Sequence, residues 1–344
     1  MKNILFTGAC GYIGSHTAYS FLKHTDYDII VIDNLSSGFV ENIDFLQSTF
    51  KDRISFIKID LSDSKSLENV FMESEIYAIV HFAASIVVSE SVSNPLLYYS
   101  NNTKNTLDLI KLCTKFEIKN FIFSSTAAVY GEPENNPISE DSPLLPINPY
   151  GASKMMSEMI LRDTASANQN FNYIALRYFN VAGALNDNDY QKNRGLGQRN
   201  KNATHLIKIA CECAVGKRDG MQIFGDDYET KDGTCIRDYI HIDDLAMAHL
   251  RALEFLEGEK RSEVFNVGYN NGYSVKEIIS RLKEISKVDF KVEIAKRREG
   301  DPANLVSNNT KILNLTSWKA MHNDIDLILK SAYLWEKSPM SLIK

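Results

Sequence analysis

NILFTGACGYIGS, residues 3–15, places three glycines between an apolar run and a helix-like run. The apolar run 3–7 predicts a buried strand, and Gly8, Gly11 and Gly14 follow it at G-x-x-G-x-x-G spacing. Glycines at such a junction allow a tight turn and a close approach of the backbone to a pyrophosphate, and the start of the helix attracts the anion. The stretch therefore predicts a strand–turn–helix unit that binds a dinucleotide.

Short apolar runs alternate with longer amphipathic runs through the first half of the chain. The predicted strands cover residues 3–7, 29–33, 55–60, 78–83, 120–125 and 173–180. Between them, residues 15–23 and 103–116 carry apolar side chains at helical spacing. Strands that are apolar nearly throughout are typical of parallel sheets covered on both faces. We therefore predict an α/β fold, a Rossmann-like doubly wound parallel sheet.

The pattern changes after residue 181. The C-terminal predictions are a long polar loop at 186–202, a helix at 205–215, a turn-rich stretch at 225–233, a strand at 264–267 and a helix at 274–285. We predict a dinucleotide-binding Rossmann domain over residues 1–181. Residues 182–344 are expected to form mainly a smaller interleaved α/β substrate lobe, with some segments returning to the Rossmann domain.

Composition and charge exclude several classes of protein. The chain has 344 residues, and 38 Lys+Arg against 44 Asp+Glu give a net charge of −6. A broad nucleic-acid surface needs an excess of cations to neutralise phosphates. No apolar run reaches the ~18 residues of a membrane helix, and the opening MKNIL lacks the pattern of a secretion signal. We therefore expect no nucleic-acid or membrane partner and a cytoplasmic location.

The cysteines and histidines do not predict a metal site. The five cysteines, at 10, 113, 211, 213 and 235, fit neither a disulfide framework nor a zinc pattern. The histidines likewise show no ligand pair at helical spacing. We expect reduced, buried cysteines and no metal.

Two carboxylates follow predicted strands and indicate which dinucleotide is bound. Asp33 ends the second strand, where it can accept hydrogen bonds from ribose hydroxyls and repel a 2′-phosphate. This position predicts NAD rather than NADP. Asp60 and Leu61, at the end of the third strand, suit the edge and the ring of adenine.

Tyr150 and Lys154 form a Y-x-x-x-K pair on a predicted helix, where residues at i and i+4 share one face. A nearby ammonium favours the phenolate, so the lysine is expected to lower the pKa of Tyr150 from its ordinary value of ~10. Thr126 follows the fifth strand at the carboxyl edge, where open α/β sheets bind ligands. Thr126, Tyr150 and Lys154 therefore predict proton abstraction coupled to hydride transfer.

With these motifs the chain resembles the extended short-chain dehydrogenase/reductases, and among them most closely the UDP-glucose 4-epimerase family. The resemblance covers essentially the whole chain. Its specific stretches are TGACGYIGSH (7–16), DNLSSG (33–38), HFAAS (81–85), NN (101–102), FSSTAAVYGEP (123–133), NPYGASK (148–154), LRYFNVAGA (176–184), VGKRDGMQIFGDDYETKDGTCIRDYIHIDDLA (215–246), FNVG (265–268) and RREGDPA (297–303). The long stretch at 215–246 is far more specific than the glycine turn.

The resemblance implies a tightly held NAD, transient oxidation at C4 of a UDP-hexose and a 4-keto intermediate. The implied base is Tyr150, with Lys154 and Thr126 as its partners. The implied cofactor contacts are Gly8, Gly11, Tyr12, Ile13, Gly14, Asp33, Asn34, Leu35, Ser36, Ser37, Gly38, Asp60, Leu61, Phe82, Ala83, Ala84, Asn101, Thr126, Tyr150, Lys154 and Phe179. The implied substrate contacts are Thr126, Tyr150, Asn180, His205, Leu206, Ile207, Gln222, Ile223, Phe224, Arg237, Arg298, Asp301 and Leu305.

Two positions depart from the pattern of some family members. Ile86 stands where some carry a lysine, so a cationic contact to NAD from that position is absent. Leu305 stands where some carry a tyrosine that walls the sugar pocket. The smaller side chain predicts room for a 2-acetamido group, and hence action on UDP-N-acetylglucosamine and UDP-N-acetylgalactosamine as well.

Several alternatives share these motifs. Sugar-nucleotide 4,6-dehydratases carry an Asp-Glu pair after the Ser/Thr, where this chain has Ala127 and Ala128, which cannot move protons. An NADP-linked reductase is disfavoured by Asp33. A UDP-glucuronate decarboxylase, which also uses Tyr, Lys and NAD, remains open, and so does a non-catalytic nucleotide sensor.

The helices predicted at 95–116 and 151–167 match those that form a four-helix dimer bundle in this family, so we expect a homodimer.

Overall fold

The computed structural model describes residues 2–200, 203–298 and 300–342. Its strands are β1 (Asn3–Thr7), β2 (Asp28–Asp33), β3 (Ile54–Lys58), β4 (Ile76–His81), β5 (Asn120–Ser124), β6 (Asn172–Tyr178), β7 (Asn180–Ala182), β8 (Gly220–Phe224), β9 (Ile236–His241), β10 (Glu263–Val267), β11 (Gly272–Ser274), β12 (Lys291–Ala295) and β13 (Asn304–Leu305). The main sheet is parallel and has the order β10-β6-β5-β4-β1-β2-β3. A second sheet joins β11, β9, β13 and β7, and β8 pairs with β12.

Helices cover both faces of the main sheet. They are α1 (Tyr12–His24), α2 (Val40–Phe50), α3 (Ser64–Glu73), α4 (Val88–Ser93), α5 (Pro95–Tyr98), α6 (Asn105–Lys115), α7 (Pro149–Ala167), α8 (Leu206–Ala214), α9 (Ile242–Glu259), α10 (Val275–Ser286), α11 (Thr310–Leu315) and α12 (Ile325–Lys337). A π-helical segment, Tyr99–Lys104, joins α5 to α6. Among the helices of the described ranges, none combines the length and the apolar composition that crossing a bilayer requires.

The core lies on both faces of this sheet because successive strand residues point to opposite sides. On β1, Phe6 belongs to the cluster that packs against α1 and α9, for example through Phe21. Its neighbour Leu5 belongs to the opposite cluster, with Leu109 of α6 and Leu161 of α7. This two-sided burial explains why the strands are apolar nearly throughout, and it confirms the predicted fold class.

Most predicted strands lie within two residues of the observed ones, but the prediction at 173–180 is wrong in one respect. β6 ends at Tyr178, and Asn180 already begins β7, which pairs with β9 in the second sheet. The chain therefore changes sheets at Phe179. The predicted strand 264–267 lies within β10, the edge strand of the main sheet beside β6.

The predicted loop at 186–202 has no helix or strand over 186–200, and its last two residues lie outside the described residues. The predicted helix at 205–215 is α8, with the extended residue His205 as its N-cap. The predicted helix at 274–285 is α10, which begins with a capping box between Ser274 and Glu277.

Candidate active site

The glycine turn between β1 and α1 is a closely packed backbone cradle. Gly8 has a φ of +76°, and a Cβ there would lie 2.6 Å from the amide nitrogen of Ala83. A Cβ on Gly14 would lie 2.6 Å from the carbonyl oxygen of Gly8. The N-cap Gly11 supplies no side-chain acceptor, so amide groups of the first turn remain available to an anion. These residues fit the pyrophosphate of a dinucleotide.

Asp33 lies where the ribose contact is predicted, at the end of β2. Its carboxylate accepts hydrogen bonds from the amides of Cys10 at 3.0 Å and Leu35 at 2.8 Å. Burial raises its pKa, and these main-chain hydrogen bonds oppose the rise. The two amides fix the carboxylate while each oxygen keeps a further lone pair, so Asp33 can accept from ribose hydroxyls.

The other predicted cofactor residues gather at the same edge. Asp60 follows β3 and accepts from the side chain of Asn34 at 2.6 Å, which joins two predicted contacts. The hydrogen bonds from Ser62 and Asn34 lower the pKa of Asp60. The loop after β4 contains Phe82, Ala83 and Ala84, and the loop after β2 contains Asn34, Leu35, Ser36, Ser37 and Gly38. The cofactor predictions therefore converge at the carboxyl ends of neighbouring strands.

Asn102 positions the loop after β4. The sequence predictions did not include it and named only its neighbour Asn101. The buried amide of Asn102 accepts from Ser85 N at 2.8 Å and donates to Ser153 Oγ at 3.0 Å. Asn101 donates to the hydroxyl of Ser85 at 3.0 Å. Asn102 thus joins the loop after β4 to α7. Its place in the NN pair of the π-helical segment is the only sequence signal.

Helix α7 presents the predicted catalytic pair. Asn148 caps its first turn by accepting from the amide of Gly151 at 2.9 Å, and Pro149 occupies the first position. A Cβ on Gly151 would lie 2.5 Å from the carbonyl oxygen of Ala128, so the helix start packs directly on the turn after β5. Tyr150 and Lys154 are both buried on this helix.

The polar contacts of the three predicted catalytic residues are well defined. Lys154 Nζ donates to the main-chain oxygen of Ser124 at 2.8 Å and lies 4.8 Å from the centre of the Phe123 ring. Thr126 Oγ1 accepts from the main-chain amide of Ala128 at 3.1 Å, and the Thr126 side chain lies close enough to Tyr150 to lower the pKa of its phenol. The structure therefore brings Thr126, Tyr150 and Lys154 together at the end of β5.

The pKa of Tyr150 differs from the one expected from the sequence. Burial raises the pKa of Tyr150, and the hydrogen bond with Thr126 opposes the rise. Burial also lowers the pKa of Lys154 to about 7, against the negative charge of Glu158, which raises it. The expected lowering of the pKa of Tyr150 is not seen, because removing the phenolate from water costs more than the contact with Thr126 returns.

Several predicted substrate residues lie on the second sheet or next to it. Arg237 of β9 is buried and forms an ion pair with Asp301. Leu305 of β13 is in register with Arg237 and packs against the apolar cluster that contains Ala127 and Phe179. Three of the predicted substrate residues are thus neighbours.

Phe224 and Arg298 form a second substrate group. The guanidinium of Arg298 lies 3.8 Å from the centre of the Phe224 ring, within the range of a cation–π contact. Gln222, Ile223 and Phe224 are consecutive on β8. An aromatic face beside a cation suits a base that is linked to phosphates.

A cleft opens beside β7 and the start of α8. Asn180, His205, Leu206 and Ile207 line it, so four predicted substrate residues share one concave surface. Gln198 also lines the cleft, and its side-chain amide lies 3.0 Å from Nδ1 of His205. Gln198 was not predicted, since the polar loop that carries it has no helical or strand pattern.

Comparison with known proteins gives one consistent result. Residues 4–268 match the model of the NAD dependent epimerase/dehydratase family. The UDP-glucose 4-epimerase of Azospirillum brasilense is 44% identical over 335 residues, which are 97% of this chain and 92% of that protein.

Two solved structures share the whole fold. That of the UDP-Glc/GlcNAc 4-epimerase from Campylobacter jejuni has 55% sequence identity and a TM-score of 0.84, and the match covers 98% of this chain and 99% of that one. That of the UDP-glucose 4-epimerase from Bifidobacterium longum, in complex with NAD+ and UDP, has 35% identity and a TM-score of 0.92. This second match covers 99% of this chain and 100% of that one.

Proposed function

The chain belongs to the NAD dependent epimerase/dehydratase family, and on this premise we propose that it is a UDP-hexose 4-epimerase that interconverts UDP-glucose and UDP-galactose. The membership confirms the predicted family and the predicted cofactor, NAD. The observation that carries the proposal is the convergence of Thr126, Tyr150 and Lys154 beside the glycine turn, at the carboxyl edge of the main sheet.

Each residue of this group has a role in the proposed reaction. Tyr150, as the phenolate, removes the proton from the sugar O4, and the hydroxyl of Thr126 orients that oxygen. In the proposed mechanism the ammonium of Lys154 offsets the burial that disfavours this phenolate. NAD, when bound, accepts the hydride from C4 and returns it. Turning the 4-keto sugar over between these transfers brings its other face to the site, and Tyr150 returns the proton to O4.

The nucleotide part of the substrate is bound by the opposite wall. Arg237 and Arg298 are cations in a chain of net charge −6, and guanidinium groups bind phosphate oxygens with paired hydrogen bonds. Phe224 offers a face for uracil, and Asp301 can accept from a ribose hydroxyl. The Arg237–Asp301 ion pair keeps both groups aligned at this wall.

We propose that the same site accepts the 2-acetamido sugars. Leu305 is half-buried beside Phe179 and lacks the bulk of the tyrosine found there in some relatives. The 55% identity to the UDP-Glc/GlcNAc 4-epimerase of Campylobacter jejuni supports this wider substrate range. The alternative activities, decarboxylation of UDP-glucuronate and nucleotide sensing, are not favoured by these relatives, which are named as 4-epimerases.

We propose that the enzyme is a homodimer formed through a four-helix bundle that includes α7. Large apolar side chains are exposed on α4, α5 and α7, whose residues contact one another. They include Val92 at 62% exposure, Leu96 at 75% and Met159 at 44%. A contiguous exposed apolar patch of this kind is typical of a protein interface.

We also propose a cytoplasmic location. All five cysteines are buried free thiols, which fits a reducing compartment. We expect UDP-sugars rather than nucleic acids or lipids as partners, since the polar groups described above converge on a nucleotide sugar.

The test of the proposed activity is conversion without added cofactor. Purified protein is incubated separately with UDP-glucose and UDP-N-acetylglucosamine, and the sugars are resolved by proton NMR. Conversion of both is expected, because the NAD retained through purification suffices. Conversion of UDP-glucose alone keeps the reaction and rejects the wider pocket. If neither is converted even with NAD supplied, the proposal fails, and release of carbon dioxide from UDP-glucuronate is measured next.

A further inference from the structure

We propose that Glu158 is a positioning residue of this site, which holds Lys154 and the hydroxyl-bearing end of β5 in one fixed arrangement. The proposal rests on the proposed 4-epimerase function. Glu158 lies on α7 one turn after Lys154 and is buried, with 5% of its surface exposed. A carboxylate is rarely buried unless its charge is compensated and its lone pairs accept hydrogen bonds.

The first contact of Glu158 is with the segment that follows β5. Its carboxylate accepts the hydroxyl hydrogen of Ser125. Ser125 stands between Ser124, whose main-chain oxygen accepts from Lys154, and Thr126, whose side chain lowers the pKa of Tyr150. Glu158 therefore acts on both neighbours of the residue that it holds.

The second contact fixes the orientation of the carboxylate. Arg177 of β6 donates to Glu158 from Nη2 at 2.6 Å and from Nε at 3.1 Å, and both side chains are only 6% exposed. Arg177 also donates to the hydroxyl of Tyr130 at 2.9 Å, and Tyr130 donates to Asn266 of β10 at 2.7 Å. The carboxylate is thus anchored to three elements of the Rossmann core and cannot reorient without breaking several hydrogen bonds.

Titratable and charged groups from several elements surround Lys154. On its own helix lie Tyr150 and Glu158, on β4 lies His81, and on β6 lie Arg177 and Tyr178. Burial, with repulsion from Lys154, lowers the pKa of His81 to about 3, so this imidazole is neutral. Burial raises the pKa of Tyr178, which keeps its proton.

Helices α5 and α4 add Tyr98, which lies near Tyr150, and Glu90, which accepts from Tyr98 at 2.8 Å. The charge that opposes the desolvation of Lys154 is that of Glu158. Because the pKa of Lys154 is lowered to about 7, a change in the charge of Glu158 alters the fraction of Lys154 that is protonated under assay conditions.

The test uses ε-carbon-13-labelled lysine and NMR, which reports the titration of Lys154 without reference to turnover. The Lys154 signal is assigned by its loss in Lys154→Arg. In Glu158→Gln the signal is expected to titrate lower by on the order of one pH unit. At pH 8 such a shift reduces the ammonium fraction, and hence kcat, about tenfold, with KM within about twofold of the wild type.

Glu140→Gln is the matched control, since Glu140 also accepts a hydrogen bond in this network, from the amide of Asn266 at 2.8 Å, but lies beyond Arg177. It should leave the Lys154 titration unchanged. If Glu158→Gln does not fold, the Glu158→Gln, Arg177→Met double variant removes both charges, and the Lys154 signal should titrate lower by a smaller amount, since loss of the Arg177 charge opposes loss of the Glu158 charge. A Lys154 titration unchanged from the wild type in the folded variant overturns the proposal. Absence of turnover in the wild type would instead overturn the epimerase function.

Discussion

Lys154 and Ser124 are joined by a hydrogen bond of 2.8 Å from the ammonium to the main-chain oxygen, which ties helix α7 to the carboxyl end of β5. Tyr150 lies one turn before Lys154 on the same face of α7. The contact therefore sets the distance between the phenol and the segment that carries Thr126. It also places the titratable ammonium of Lys154 near the site of the proposed proton transfer.

Tyr150→Phe removes the proposed base and keeps the aromatic ring. We expect kcat to fall by ~10²–10⁴-fold, the usual contribution of a general acid or base. The ring still fills its place, so NAD should be retained. The NAD released by denaturation is measured spectroscopically for both proteins. Unaltered turnover with retained NAD would contradict the assigned base.

Gly8→Ala tests the cofactor cradle. The new Cβ would lie 2.6 Å from Ala83 N at a φ of +76°, so the turn must shift. We expect less NAD per protomer and a loss of at least ~1 kcal/mol in the free energy of unfolding. Gly258→Ala is the control, because no described heavy atom lies within 4 Å of its Cβ position in α9. Equal NAD content in the two variants would show that the turn does not hold the cofactor.

Leu305→Tyr tests the width of the sugar pocket. The larger side chain must fit beside Ala127 and Phe179, in the cluster that Leu305 contacts. We expect kcat/KM for UDP-N-acetylglucosamine to fall by at least ~10-fold, while that for UDP-glucose is kept. Leu313→Tyr, at a position 43% exposed on α11, is the control. If neither or both reactions are lost in Leu305→Tyr, Leu305 does not select the sugar.

Leu96→Glu tests the proposed interface. Leu96 is 75% exposed on α5, and burying a carboxylate at an apolar interface without a partner is costly. We expect the wild type to have the mass of a dimer by light scattering at micromolar concentration and the variant that of a monomer. Met321→Glu, at a methionine 72% exposed outside these helices, should remain a dimer. A monomeric wild type rejects the interface.

The sequence was sufficient to predict those functional residues that lie together on one strand end or one helix turn. The glycine turn, Asp33 and the Tyr150–Lys154 spacing each depend on a few adjacent residues, and the structure places them at one sheet edge. The alternation of apolar runs likewise gave the fold class, because parallel strands buried on both faces leave a continuous apolar pattern.

Long-range pairing was not visible in the sequence. Arg237 and Leu305 are neighbours because of the register between β9 and β13. Two helices and three strands separate these strands in the sequence. The change of sheet at Phe179 has no local signal either, because the run 173–180 suits one strand. The Glu158–Arg177 pair joins α7 to β6, and although the helix and the strand were both predicted, the contact between them was not.

In the proposed reaction the C4 hydrogen leaves and returns within one site. UDP-glucose carrying deuterium at C4 is incubated with the purified protein in ordinary water without added NAD, and the UDP-galactose formed is examined by NMR and mass spectrometry. We expect the deuterium to stay at C4, since the hydride passes to retained NAD and back. Replacement of the deuterium by hydrogen from water would contradict transient oxidation by NAD in this site.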